Sequence, residues 1–223
     1  MKNKKNGVVY IVTTIGNDIY LRAAIESAKS VRTHSPDLAI HIYVDEQGIE
    51  YIDSLSNSPF SSIGLIENPH YRSKVDYIAK TPFEGTLYLD SDTRLCGDIS
   101  EMFEVLKRFD IALAHAHQRN TERTLQKLHV DIPPSFPQFN SGVILYKNIP
   151  PVCEFLKAWS DIFHKAGFKK DQVTLRELLW QSSLRIATLP PEYNIRYEKY
   201  LEIWGEQEAK PRILHMKKYH ESA

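Results

Sequence analysis

Apolar runs alternate with amphipathic stretches along most of the chain, and the alternation predicts strands and helices in turn. Val8-Val-Tyr-Ile-Val12 is a continuous, β-branched run leading into Thr13, Thr14 and Gly16, as a buried strand opening into a loop would. Behind it Tyr20, Ala24, Ala28 and Val31 recur at helical spacing, with Asn17 or Asp18 as the cap and Pro36 as the limit. Ala39 to Val44 predicts a second strand, ending in Asp45. Strand, helix, strand at this spacing builds a parallel sheet whose ligands sit at the carboxyl ends of the strands. Further strands are predicted at Ile63 to Ile66, Leu87 to Leu89, Ile111 to His117, Val143 to Tyr146 behind the polar triplet Asn140-Ser-Gly142, and Ile213 to His215. Helices are predicted at Tyr71 to Lys80, behind an Asp98/Glu101 capping box, at Val152 to Ala166 with Gly167 as its stop, and at Gln172 to Gln181. From Gln118 to Pro137 the pattern dissolves into charges and then Pro133, Pro134 and Pro137, which reads as a substrate-covering loop or a surface excursion. Leu189 to Asn194 is rich in turn residues, and the aromatic stretch from Tyr193 to Trp204 either packs on the core or presents a contact surface.

The strand at Leu87 to Leu89 ends in two carboxylates, Asp90 and Asp92, with Ser91 between them. On an extended chain residues two apart point to one face. Like charges held that close repel unless a cation or proton lies between them. A hard divalent ion such as Mg²⁺ or Mn²⁺ suits oxygen ligands and leaves room for substrate phosphates. The competing reading is a solvated strand end with two acids.

Composition narrows the classes. The 223 residues suffice for one large α/β domain, and no repeat or linker divides them. With 28 basic and 28 acidic side chains the formal net charge is zero, so no global field recruits nucleic acid or an anionic membrane. No run reaches transmembrane length, and the residues after the basic start Met1-Lys-Asn-Lys-Lys5 are too polar for a signal peptide. Cys96 and Cys153 form no Cys-x-x-Cys motif, which places the chain by default in a reducing, cytoplasmic compartment. His115 and His117 share a strand face but lack further zinc ligands at useful spacing.

An ordered set of motifs resembles the GT-A-fold glycosyltransferases, close in motif order to the glycogenin and bacterial lipopolysaccharide galactosyltransferase family. The pieces are Asn17-Asp-Ile-Tyr20, Ser73-Lys74-Val75, Tyr88-Leu-Asp-Ser-Asp-Thr93, Phe139-Asn-Ser-Gly142, Asp171-Gln172, Leu189-Pro with Tyr193-Asn194, and Ile213-Leu-His215. The resemblance implies a Rossmann-like α/β fold, a mostly parallel mixed sheet flanked by helices. It implies a nucleotide-binding half over about 1–118 and a sugar- and acceptor-binding half over about 119–223. It further implies metal-dependent transfer of a hexose, glucose or galactose, from a UDP-sugar to an acceptor hydroxyl with retention.

By that resemblance His215 joins Asp90 and Asp92 as metal ligand, and an imidazole favours Mn²⁺ over Mg²⁺. Lys74 faces the nucleotide and phosphates, or is an exposed helix lysine. Tyr20 stacks on the base, or packs in the core. Thr14 and Asn17 bind base or ribose, or cap helices. Asn140, Ser141 and Gly142 line the sugar subsite, or form a turn. Asp171 and Gln172 face the anomeric centre as catalytic residues, with Asp171 also able to cap its helix. The chain departs from the family pattern after His215, reading His215-Met-Lys-Lys-Tyr-His220 without the usual glycine. Lys218, with Lys217, stands where the family has a diphosphate-binding lysine, and His220 is an alternative ligand. A sugar-phosphate nucleotidyltransferase shares the architecture, but Thr13-Thr-Ile-Gly-Asn17 carries one glycine and no base. A non-catalytic nucleotide-sugar binding protein is the other alternative.

Overall fold

The structure, a computed structural model, describes residues 5–119, 121–205 and 207–221; most of the basic start lies outside them. The predicted strand–helix–strand opening forms as β1 (Asn6–Ile11), α1 (Ile19–His34) and β2 (Ala39–Val44). After α2 (Glu46–Asp53) come β3 (Ser62–Leu65), α3 (Lys74–Tyr77), β4 (Gly85–Leu89), β5 (Thr93–Leu95) and β6 (Ile111–His115). The second part runs β7 (Phe139–Lys147), α4 (Pro150–Ala166), α5 (Gln172–Gln181), β8 (Ile186–Thr188), α6 (Lys199–Ile203), β9 (Ile213–His215) and α7 (Lys218–Glu221).

Seven strands make one sheet in the order β3-β2-β1-β4-β7-β6-β8, with β7 antiparallel to both neighbours and the other pairs parallel. Both faces of the central strands are covered, which is why Val8 to Val12 and Val143 to Tyr146 read as unbroken apolar runs rather than alternating ones. Val8, Tyr10 and Val12 pack with Leu21, Ala24, Ala28 and Val31 of α1 on one face. Val9 and Ile11 face the other side, with Phe155, Leu156 and Trp159 of α4 and Leu175 and Leu179 of α5. Gly167 closes α4 at φ +67°, a left-handed conformation that glycine adopts without strain.

Several local expectations change. Tyr20 is not on the buried stripe of α1; it is 41% exposed. The Asp98/Glu101 capping box does not form: Asp98 takes the Ser35 and Ser100 hydroxyls, Glu101 takes the Tyr193 hydroxyl, and Ser100–Lys107 winds as a 3-10 helix. The predicted helix from Tyr71 begins only at Lys74 and ends in a 3-10 turn over Ile78–Lys80. Other elements have no counterpart in the sequence pattern. α2 is capped by Asp45, whose carboxylate accepts from Gly48 N–H; β8 and α6 are short and of mixed polarity.

The 118–138 excursion is pinned to α5. Glu177, nearly buried, accepts backbone N–H groups from Leu128, His129 and Val130, and Arg176 donates to the carbonyls of Ile132, Pro133 and Phe136. Each buried charge thereby satisfies backbone groups that have no strand or helix partner.

Candidate active site

The strand order reverses direction between β1 and β4, and a cleft of about 790 Å³ opens at their carboxyl ends. This is where doubly wound sheets leave a crevice for ligands. Ile11, Val12 and Thr13 line it from β1, and Tyr88, Asp90, Ser91 and Asp92 from the end of β4. Because β7 runs antiparallel to β4, its first residues lie beside the last of β4: Leu89 pairs with Val143, and Asp90 N–H donates to the Gly142 carbonyl at 2.8 Å. Asn140, Ser141 and Gly142 are therefore strand residues against the acidic pair, not a turn.

Strand β4 stops at Leu89, so Asp90 and Asp92 do not converge through extended alternation. Ser91 and Asp92 form a turn, and the chain re-enters as β5, which pairs antiparallel with β9 so that Thr93 faces His215. That pairing carries His215 to the acids. Its Nε2 lies 3.0 Å from Asp92 Oδ1 and 3.7 Å from Asp90 Oδ2. Burial works to raise the Asp92 pKa, but His215, with His220 and Arg196, outweighs it and holds the carboxyl well below the usual carboxylate range.

A relay of hydrogen bonds sets the His215 ring. Asn140 Oδ1 accepts from Gly142 N–H at 2.9 Å and from the Asn194 amide at 3.0 Å, so the Asn194 oxygen faces His215 Nδ1 at 2.8 Å. With Nδ1 donating to Asn194, Nε2 faces two carboxylates: without an ion it carries a proton of its own and pairs with Asp92, and a bound cation would take that proton's place. Two oxygens and one imidazole suit a divalent ion of the manganese type. Gly142 leaves room for this: a Cβ there would lie 2.2 Å from His215 Cε1 and 2.4 Å from Asp90 Oδ2. If these side chains hold a metal, Gly142→Ala is expected to weaken Mn²⁺ binding at least about tenfold, since both must shift. Equal manganese affinities in a titration of variant and wild type would contradict this geometry.

Lys74 is buried and fully engaged. Its Nζ donates to Ser141 Oγ at 3.0 Å, Ser141 O at 3.2 Å and Asp90 Oδ1 at 3.4 Å, and lies 3.0 Å from Asp171 Oδ2 in an ion pair outside hydrogen-bond alignment. Burial disfavours its charge, but Asp171 and Asp90 outweigh that and raise its pKa. Asp171 is held ionised in the same way: burial opposes, while Lys74 and Arg72 lower its pKa. The Ser141 hydroxyl donates to Asp171 Oδ1 at 2.9 Å. Asp171 stands at the start of α5 without capping it; its side chain turns to the cleft beside Gln172. Trp159 Nε1 anchors it from below through the Asp171 carbonyl at 3.1 Å.

Tyr20 lines the cleft rim and meets His220 edge to face at 4.7 Å, while His220 bonds Ser91 Oγ rather than joining the acids. Thr14 and Asn17 do not line the cleft. Thr14 binds the Asp45 carboxylate through both its N–H and hydroxyl, and exposed Asn17 accepts from Ile19 N–H. Lys217 lines the cleft, whereas Lys218 pairs with Glu198 outside it. Sequence reasoning missed Tyr88, whose hydroxyl donates to Asp90 Oδ1 at 2.7 Å, and Arg196, 3.8 Å from Asp92 Oδ2. Tyr88 was findable, because alternation places it on the Asp90 face; Arg196 carries no local signal.

Among the described residues one other group could gather around a metal: His70, Asp76 and His164. There Arg72 N–H donates to His70 Nδ1, which puts the proton on Nε2, facing Asp76. With the His164 ring and Ser160 hydroxyl also on Asp76, the group is a hydrogen-bonded clamp between α3 and α4.

No family model and no curated protein matches the chain. Solved structures do. The glycosyltransferase GlyE of Streptococcus pneumoniae TIGR4 is 21% identical with a TM-score of 0.65, over 96% of this chain and 54% of that one, so the chain spans about half of GlyE. Mouse xyloside xylosyltransferase 1 is 14% identical with a TM-score of 0.64, over 95% of this chain and 97% of that one. The galactosyltransferase LgtC, solved with donor and acceptor sugar analogues, is 14% identical with a TM-score of 0.64, over 95% and 87%. The chain has the GT-A fold that these glycosyltransferases share.

Proposed function

We propose that the protein is a metal-dependent glycosyltransferase that moves a hexose from a UDP-sugar to an acceptor hydroxyl with retention at the anomeric carbon. The observation that carries the reading is the convergence of Asp90, Asp92 and His215 beside Lys74 and Asp171, at the switch point of a GT-A sheet. Asp90, Asp92 and His215 would hold the divalent ion, with Mn²⁺ favoured over Mg²⁺. When bound, that ion supplies Lewis-acid stabilisation of the charge that develops on the departing diphosphate.

The chain's own residues do the rest. Lys217, Lys169 and Lys170 line the cleft and would attract the diphosphate, since Lys74 is committed to Asp90, Asp171 and Ser141. Tyr20 offers an exposed ring to the base. Asn140 and Ser141 border the sugar subsite, with Gln172 beside it. Asp171, kept anionic by Lys74, is a poor proton acceptor and a good partner for positive charge at an oxocarbenium-like carbon. That favours retention: the C–O bond to the diphosphate breaks, the acceptor oxygen bonds the same carbon, and the acceptor proton passes to the departing diphosphate. The likeness to GlyE, the xylosyltransferase and LgtC supports sugar transfer in general, and glucose or galactose is the proposed cargo.

Incubation with UDP-glucose and UDP-galactose in Mn²⁺ is expected to release UDP slowly without acceptor and to lose all release in chelator. Release that persists in chelator would refute metal dependence. A protein that binds the donor but never releases UDP would be a binding protein rather than an enzyme.

A further inference from the structure

A smaller cavity of about 220 Å³ lies at the carboxyl end of β6, where His115, His117, Arg119, Asn194, Arg196 and Tyr200 contribute to its wall. Arg196 lines this cavity and the cleft, so the two adjoin beside Asp92. The charge lining the two is unbalanced. In the cleft Arg72, Lys74, Lys169, Lys170, Arg196 and Lys217 face only Asp90, Asp92, Asp171 and Glu221. A nucleotide diphosphate sugar carrying one divalent ion adds no net charge, so a filled donor site leaves the cationic surplus in place. Arg119 adds to it. Among the described residues no carboxylate lies within ion-pair distance of Arg72, Arg119, Lys169, Lys170 or Lys217.

The crowding is felt nearby. Burial, then Arg196, His215, Arg123 and Lys170, push the His117 pKa down to about 4. Burial, then Arg123, Lys217 and Arg72, lower that of Lys170. His117 Nδ1 and Arg196 Nε are buried with no hydrogen-bond partner. Clustered cations left without anionic partners cost free energy that an anionic ligand recovers. Tyr200, stacked on Trp204 at 5.2 Å and 14°, gives the cavity a flat aromatic wall against which a sugar ring can lie.

We propose that the acceptor is an anionic saccharide, its phosphoryl or carboxylate group held at the carboxyl end of β6 by Arg119, Arg196 and His117 with its ring against Tyr200. The proposal rests on the donor reading above and assigns the class of acceptor, which that reading leaves open.

The test is calorimetric titration of glucose 6-phosphate, glucuronate and glucose onto the whole chain saturated with Mn²⁺ and UDP, whose own binding is measured first. At least one charged ligand is expected to bind about tenfold more tightly than glucose, roughly 1.4 kcal/mol. Which one does so separates phosphoryl from carboxylate recognition. In Arg119→Gln, whose exposed side chain is not part of the core, the advantage should fall to about threefold or less. Equal affinities for all three, or an advantage untouched by both Arg119→Gln and Arg196→Gln, would overturn the anionic acceptor while leaving the donor site standing. Failure of Mn²⁺ and UDP to bind at all would overturn the donor reading and this one with it.

Discussion

Asp92→Asn should weaken Mn²⁺-dependent binding of UDP by at least about a hundredfold, because on the proposed reading the change removes a metal ligand and its charge together; changes to groups that only orient a ligand already cost ten- to a hundredfold. Asp92 is 6% exposed and its Oδ1 lies 3.0 Å from His215 Nε2. The amide keeps the shape, so the fold persists and the loss is chemical. Transfer should fall with binding, and excess manganese should restore it only in part. Titration of UDP into wild type and variant, each in Mn²⁺ and in chelator, checks this; unchanged binding in the variant would leave Asp92 as no more than a buried partner of His215 and Arg196.

Asp171→Asn separates catalysis from donor capture. The variant is expected to bind Mn²⁺ and UDP within about threefold of wild type, because Asp171 contacts Lys74 and Ser141 rather than Asp90, Asp92 or His215. Its turnover should drop by about a hundred- to a ten-thousandfold, the range for removing a charge aimed at a reacting centre. A buried lysine deprived of one of its two carboxylates also destabilises the fold, so kcat is to be compared at a temperature well below both melting points. An unchanged kcat would confine Asp171 to anchoring Lys74 and α5. Retention is checked separately, by assigning the anomeric configuration of the product in an NMR spectrum.

Much of the architecture was legible because burial on both faces writes itself as unbroken apolar runs, as at Val8 to Val12 and Val143 to Tyr146. Elements that escaped, such as β8 and α6, are short, partly exposed and fixed by tertiary neighbours rather than by their own pattern. The Asp98/Glu101 pair shows the same limit from the other side: a local signal lost to Ser35 and Tyr193, which are distant in sequence. At the candidate site, motif order brought Asp90, Asp92, His215, Lys74 and Asp171 to one place. It could not show that Lys74 serves the carboxylates, nor that Asn140 orients His215 through Asn194. Thr14 illustrates why: a small polar residue after a strand reads the same whether it faces a ligand or, as here, Asp45.

The most direct test is a thermal melt of the protein with Mn²⁺ and UDP, added separately and together, alongside Asp90→Asn/Asp92→Asn. A ligand at about a hundred times its dissociation constant adds about 2.7 kcal/mol, roughly 5 to 10 °C for a chain of this size. A shift that needs both additions and vanishes in the double variant is the result expected for a metal-bridged nucleotide site. No shift with UDP, repeated across GDP, ADP, CMP and dTDP, would contradict it.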